Sequence, residues 1–251
     1  MRLDTVQTER GTFVVPTERS TPSFNTKVRA GGFELEKLDW FMHYATKHYG
    51  PRAGPFIDVG AHIGTTAIPV AMMGHEVIAI EPDPLLVACL AAGAWLSGVE
   101  HKVHINQAAA HSDTENVTLQ LNPHHAGDNR IKGPANPDAE KWESIEVRTV
   151  VLNDCIDLPG WMWIDAQGHE AHVLDGGSVY VGRVPLFMEF FPPHMSEPSH
   201  LFETLQAAYR HFIEYGTDLV RPTSHLPTLY AEMVAKVKKT PNIHTDLFFI
   251  G

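Results

Sequence analysis

Apolar residues fall along the chain in two alternating rhythms. Phe56–Val59, Glu76–Ile80, Lys102–Asn106, Trp161–Ile164, Val184–Phe190 and Asp246–Ile250 are short, largely apolar runs of strand length, and Asp218–Val220 reads as a further short strand. Between them the spacing becomes helical. Leu35, Leu38, Phe41 or Met42, and Ala45 predict a helix over 34–49, stopped by Gly50-Pro51. Further helices are predicted from Gly64 to Met73 and from Pro84 to Ser97, the latter with Asp83 as cap, Pro84 at its first position and no polar face between Leu85 and Val99. Others follow over His169–Leu174, through Leu201, Leu205, Ala208 and Phe212 to near Gly216, and over 228–239. Strands alternating with helices imply an α/β fold with a doubly wound, mostly parallel sheet of seven strands. Two runs break the scheme: Val117–Leu121 and Ile145–Val151 alternate at period 2 and read as an inserted strand pair. The loop between them, 122–141, is rich in Pro, Gly, Asn and His, and a loop this long is uncommon unless functional or mobile. Residues 1–33 are polar and read as an N-terminal extension packing on the core, with Gly11–Val15 as half of a hairpin. Residues 34–251 form the domain proper.

Composition narrows the partners. With 251 residues, 43% hydrophobic and 20% charged, the chain can bury an ordinary core without staples. A net charge of −11 argues against a nucleic-acid backbone as partner. The one basic cluster, Lys236-Val-Lys238-Lys239, suits a helix C-terminus. Cys89 and Cys155 are the only cysteines, which gives no disulfide framework and fits a reducing compartment. The N-terminus lacks an apolar leader, and Leu85–Val99 is shorter than the ~20 residues of a membrane span. A soluble, cytoplasmic protein is expected, and nothing in the sequence signals its oligomeric state. The sixteen histidines are scattered, apart from His124-His125 and His169/His172, and read as surface and loop residues before metal ligands.

Ligands of doubly wound sheets bind outside the carboxyl ends of the strands. That directs attention to Asp58–Gly64, Glu81, the 106–109 stretch, Asp165 and Glu189. The stretch Phe56-Ile-Asp-Val-Gly-Ala-His-Ile-Gly64 reads as strand, tight loop and helix. Gly60 is followed by Ala61, His62, Ile63 and Gly64, so the middle glycine that admits a pyrophosphate is missing, and no phosphate-loop motif occurs. Asp58 is a poor neighbour for phosphate and a good one for an ammonium. Glu81 ends the second strand about twenty residues later, where an acid accepts hydrogen bonds from a ribose. A ribose, an ammonium and no phosphate describe S-adenosylmethionine (SAM). Alternatively, Asp58 caps the loop and Glu81 is a solvated strand end.

These residues carry a resemblance to the FkbM-type methyltransferase family. It extends from Phe56–Thr65 and Ile80-Glu-Pro-Asp83 through Ala108–Asp113 and Thr149–Asp154 to Trp163–Gly176, with a weaker echo at Asp246–Ile250. The narrowing motif is Ile-Asp-x-x-Gly-x-Glu-x-x-Val-Leu-x-Gly, carried by Ile164–Gly176. His62 stands where the family usually has Asn. The resemblance implies a Rossmann-like class I fold and SAM-dependent O-methylation of a hydroxyl on a sugar or specialised metabolite. It implies a cofactor site at Asp58, Gly60, Ala61, His62 and Gly64 for the methionine end, Glu81 and Pro82 for the ribose, and Gln107 and Ala108 for the adenine. Asp165 would lie near the transferred methyl.

A hydroxyl acceptor must lose its proton, to a carboxylate, a histidine or a metal-bound base. Asp165, His169 and Glu170 are the candidates, with Glu170 alternatively bracing the short helix after it, and His194 weaker. His169-Glu-Ala-His172 lacks metalloprotease spacing. Asp165 and its neighbours suit Mg²⁺ chemically, but no specific metal motif is present. Residues 124–136 are expected to cover the acceptor pocket. Two rivals remain at this point: an NAD-type oxidoreductase, and a non-catalytic SAM-fold binding protein.

Overall fold

The five runs at the centre of the expected sheet all form strands, and their alternating side chains divide the interior into two layers. The computed structural model describes residues 2–31, 33–51, 54–133, 141–157, 160–237, 239–240 and 243–251. The chain begins with the antiparallel hairpin β1 (Leu3–Thr8) and β2 (Gly11–Pro16), followed by helices α1 (Pro22–Arg29) and α2 (Leu35–Tyr49). Next come β3 (Phe56–Val59), α3 (Ala67–Met72), β4 (Val77–Ile80), α4 (Pro84–Leu96) and β5 (Val103–Asn106). A second sheet follows, from β6 (Ala109–Ala110), β7 (Asn116–Leu121), β8 (Arg130–Ile131) and β9 (Glu143–Val150). The chain then returns through α5 (Leu152–Cys155), β10 (Trp161–Ile164), α6 (Glu170–Gly176), β11 (Leu186–Phe190) and α7 (Pro198–Ala208). It closes with β12 (His211–Glu214), β13 (Val220–Pro222), α8 (Leu226–Val237) and β14 (Thr245–Ile250).

The main sheet has the order β13-β12-β14-β11-β10-β3-β4-β5. From β5 to β11 all neighbours are parallel, while β14 runs antiparallel to both β11 and β12, and β13 antiparallel to β12. Eight strands therefore replace the seven expected, and the addition is β12. The spacing puts Phe212 on the helical face of Leu201, Leu205 and Ala208. Instead α7 ends at Tyr209, whose backbone is extended (φ −122°, ψ 145°), and Phe212 is buried in a strand paired with β14. The inserted strand pair, β7 with β9, belongs to the separate four-stranded sheet.

Each face of the main sheet is covered by helices. Phe56, Trp163, Phe187 and Phe248 point to one layer, where Phe41 of α2 meets all four with ring centroids 5.7–6.0 Å away. Ile57, Val59, Met162, Ile164, Met188 and Phe249 point to the other, against α6, α7 and α8. This is the period-2 alternation of a strand buried on both sides. The N-terminal hairpin joins the first layer: Phe13 and Val15 are buried, and Thr12 N–H donates to Ser97 Oγ (2.8 Å) at the end of α4. Helix α4 packs against β2 and buries Leu86, Cys89, Leu90, Gly93 and Ala94, while others of its apolar residues, Trp95 and Leu96 included, face solvent. Among the described residues, no helix is long and apolar enough to cross a membrane.

The sequence pattern misses α1, although Thr21 accepts the Phe24 N–H and Pro22 sits at its first turn. These are ordinary start signals. The polar surroundings obscure them. Within α1, Phe24 and Val28 are buried.

Candidate functional site

At the carboxyl ends of β3, β4, β10 and β11 lies a cavity of about 690 Å³, within the usual range for small-molecule sites. Its floor is the loop after β3. Gly60 has φ +82°, and a Cβ there would overlap the carbonyl oxygen of Asp165, so only glycine lets the β3 and β10 ends approach this closely. The N–H groups of Gly60 and Ala61 both donate to Ile80 O, and Asp165 N–H donates to Val59 O, locking three strand ends together. His62 takes a left-handed backbone, φ +52°. This region is enriched in Asn, Asp and His, which explains how His62 replaces Asn without reshaping the turn. Its ring meets Phe24 edge-on, centroids 5.3 Å apart, and burial lowers its pKa to about 3, so it is neutral.

Glu81 fastens this loop. Its carboxylate accepts the N–H of His62 (2.9 Å) and of Asp83 (2.8 Å) while lining the cavity. Burial raises its pKa to about 7, against the pull of those two hydrogen bonds. Gly60, Ala61, His62, Glu81, Pro82 and Ala108 all reach the cavity wall. The structure places three other expected cofactor residues elsewhere. Asp58 is 1% exposed, is absent from the wall, and accepts the Ala67 N–H at the start of α3, with Oδ2 unpartnered. Burial first, then the charges of Glu34, Asp165 and Glu81, push its pKa well above the carboxylate range. Gly64 lies under the loop against Leu90 and Ile68, and Gln107 faces solvent.

The β10 and β11 ends supply a carboxylate pair. Gln167 Nε2 donates to Asp165 Oδ1 (2.8 Å) and to Glu189 Oε2 (2.9 Å), bridging the two acids. Burial and the neighbouring Asp165 push Glu189 well above its ordinary pKa. Asp165 is raised by burial too, but the Gln167 amide and the Lys37 ammonium support its charge. Both acids are pushed up, and the larger push falls on Glu189. Lys37 forms ion pairs with Glu34 (3.0 Å) and Asp246 (2.7 Å); burial opposes its charge, but these acids outweigh it and raise its pKa. Sequence reasoning singles out neither Lys37 nor Gln167. Lys37 sits on a polar helix position, and Gln167 is an unspecified position in the narrowing motif.

Of the three candidate bases, Asp165 and His169 line the cavity and Glu170 does not. Glu170 is 2% exposed and accepts the N–H groups of Ala166 (3.2 Å) and Gly168 (3.0 Å), bracing the turn that enters α6; burial raises its pKa to about 7. His194 reaches the cavity as well, its ring tilted at 47° to that of Phe191 with centroids 3.8 Å apart; burial lowers its pKa to about 3.

The remaining walls come from the N-terminus and the second sheet. Phe24 and Lys27 of α1 line the cavity, as does the stretch from His125 to Ile131. A polar clasp holds these two together. Arg19 Nη1 pairs with Asp83 Oδ2 (2.9 Å), Arg19 Nη2 donates to Asn129 Oδ1 (2.9 Å), and Asn129 Nδ2 donates to Asp83 Oδ2 (2.8 Å). The first part of the expected covering loop thus stands at the cavity, and its residues 134–136 lie outside the described residues.

Comparison with solved structures finds a methyltransferase FkbM from Methylobacillus flagellatus KT, at 15% identity and TM-score 0.49, covering 90% of this chain and 52% of that one. It also finds the StiE O-MT, at 11% identity and TM-score 0.48, covering 99% of this chain and 85% of that one. A third is a tRNA uracil methyltransferase from Pyrococcus abyssi, at 8% identity and TM-score 0.47, with 99% and 44% covered. The chain spans about half the length of the first of these. Comparison with curated proteins finds no match. The family model described as "Methyltransferase FkbM domain" matches residues 58–216, from the buried aspartate of β3 to the end of β12 and beyond. The chain belongs to the FkbM methyltransferase domain family.

Proposed function

We propose that this protein transfers the methyl group of SAM to a hydroxyl of a small acceptor, a sugar or specialised metabolite. The observation that carries the reading is the joining of two features in one cavity: a glycine loop fastened by Glu81, and a carboxyl group, Asp165, at the next strand end. The residues present suit the cofactor. The wall carries the carboxyl groups of Glu34, Glu81 and Asp165, which suit a sulfonium, and it offers no glycine cradle for a pyrophosphate.

When bound, SAM supplies an electrophilic methyl group on a sulfonium. The Gly60–His62 backbone would hold its methionine end, Glu81 with Pro82 its ribose, and Ala108 the adenine. Asp58 and Gly64 act on the cofactor through the shape of the loop above them. Asp165 would take the hydroxyl proton of the acceptor, and Gln167, which donates to both Asp165 and Glu189, would keep that carboxylate oriented. Holding donor and acceptor in line supplies much of the acceleration. His125–Ile131, clasped through Asn129 to Arg19, would close over the acceptor.

Calorimetric titration with SAM and with NAD tests the cofactor class, and labelled SAM with a panel of hydroxylated acceptors tests the reaction. Micromolar SAM binding with label transferred to an acceptor hydroxyl is expected. Binding of NAD without SAM overturns the reading, and SAM binding with no transfer to any acceptor supports the non-catalytic alternative.

A further inference from the structure

Beside the cavity at α6 lies a side-chain cluster that the proposed methyl transfer does not use, and of its members His169 reaches the cavity wall. His111 follows β6, His169 precedes the first turn of α6, and His172 lies three residues on. Spacing of i, i+3 places the last two on one helical face. Gly176 lets α6 lie against the end of β6, since a Cβ there would overlap the His111 carbonyl oxygen, and this brings His111 over the pair. The ring centroids are 5.0 Å apart for His111 and His169, 4.7 Å for His111 and His172, and 4.5 Å for His169 and His172.

We propose that His111, His169 and His172 bind one divalent transition-metal ion of the Zn²⁺ class beside the cavity, whose wall His169 reaches.

Each residue offers one ring nitrogen, and the three atoms lie within 4.8 Å of one another. Ligands at ~2.0–2.1 Å around a tetrahedral ion are about 3.4 Å apart, so side-chain adjustments of about an ångström close the site. His169 Nε2 is buried with no hydrogen-bond partner, the condition of a donor atom lacking its ligand.

The surroundings fit a cation. Ser112 Oγ donates to Asp113 Oδ2 (2.9 Å) and lies 3.0 Å from His111 Nδ1. With that donation made, Ser112 accepts Nδ1–H, which leaves His111 Nε2 as the free donor. The Asp113 N–H, 3.2 Å from Nδ1, favours the opposite tautomer, and metal binding would select the first. Carboxylates stand at the rim: Glu115 Oε1 is 3.5 Å from His111 Nε2, and Glu197 Oε1 is 3.9 Å from His172 Nε2. Either can complete a fourth position. Imidazole donors select Zn²⁺ or Co²⁺ over Mg²⁺, which prefers oxygen. His169 and His172 occupy unspecified positions of the FkbM motif carried by Ile164–Gly176. The site is therefore a feature of this chain's own residues, and it stands whether or not the methyl-transfer reading does.

The test is titration of the untagged, metal-stripped full chain with Co²⁺, followed by its visible absorption, and with Zn²⁺ by calorimetry. One equivalent should bind with micromolar or tighter affinity, undisturbed by millimolar Mg²⁺, and Zn²⁺ should raise the thermal midpoint. His111→Ala and His172→Ala should each weaken binding at least tenfold with the circular dichroism spectrum preserved. His104→Ala, removing a histidine paired with Glu76 far from the cluster, should leave binding intact. Absence of stoichiometric binding overturns the proposal. So does binding that survives His111→Ala and His172→Ala together, which would assign the metal to other histidines.

Discussion

Two walls of the same cavity are built on different principles. The wall formed by β3 and β4 is made of backbone: Gly60, Ala61 and His62 present main-chain groups, and one acid, Glu81, holds the loop through N–H groups two and nineteen residues away. The wall formed by β10, β11, α6 and the second sheet is made of side chains. There Asp165, Gln167, Glu189 and Lys37 share charge across three elements, and His111 meets His169 and His172 across two. The backbone wall serves a ligand of fixed shape and tolerates little change. The side-chain wall is where one member of a fold can differ from another in what it accepts.

The sharpest way to break this contrast is Gly60→Ala. A left-handed φ and a collision with the Asp165 carbonyl should together cost about 3–5 kcal/mol. Thermal unfolding should fall by roughly ten degrees, and SAM binding should disappear in calorimetry. A mild effect would show that the backbone wall is not rigid. On the other wall, Asp165→Asn should slow methyl transfer by about a hundredfold or more while SAM affinity changes less than threefold. Single-turnover kinetics with a labelled acceptor separates the two.

Arg19→Ala tests the clasp joining the walls. Arg19 is its only cation, and the side chain of Asp83 is 2% exposed. Leaving that carboxylate with only Asn129 and its cap should cost about 2 kcal/mol, measured by denaturant unfolding, with faster proteolysis within 122–133. The pH dependence probes the two bracing acids, Glu81 and Glu170. Both have folded pKa values raised to about 7, from 4.5. Their contribution is fully present below about pH 4.5 and is lost as pH rises through 7. Each should lower stability by about 1 kcal/mol between pH 6 and pH 8, and Glu170→Gln should remove part of that slope. The smallest effect belongs to His62→Asn. Asn accepts the same left-handed backbone, so only the edge contact with Phe24 is lost, about 0.5–1 kcal/mol by thermal unfolding.

The backbone wall is also the legible one. Phe56–Val59, apolar but for Asp58, and Val77–Ile80, apolar throughout, read as strands, and Gly60 and Glu81 follow directly at their carboxyl ends. The sequence marks Asp58 as a ligand for an ammonium, yet the structure gives it the alternative, loop-capping role. Two residues before Gly60 on a strand, its side chain falls beneath the loop and receives the Ala67 N–H. For Glu170 the bracing alternative, open in the sequence, is the one its hydrogen bonds show. Gln107 follows β5 directly, but it is the middle residue of a tight turn closed by Ala108 N–H on Asn106 O, and its side chain is exposed. Phe212 matches a helical period by coincidence, and pairing with β14 outweighs it.

Apolar periodicity, the glycine at 60 and the acid at 81 determined the sheet's core and the crevice, and the Ile164–Gly176 motif determined the FkbM family, because these depend on local order along the chain. Tertiary structure alone decided what faces that crevice. Charge sharing between Asp165 and Glu189, the Arg19 clasp on the 122–133 stretch, and the meeting of His111 with His169 and His172 join residues 22 to 110 positions apart. No periodicity encodes such distances; they are set when α1, α6 and the second sheet pack around the strand ends.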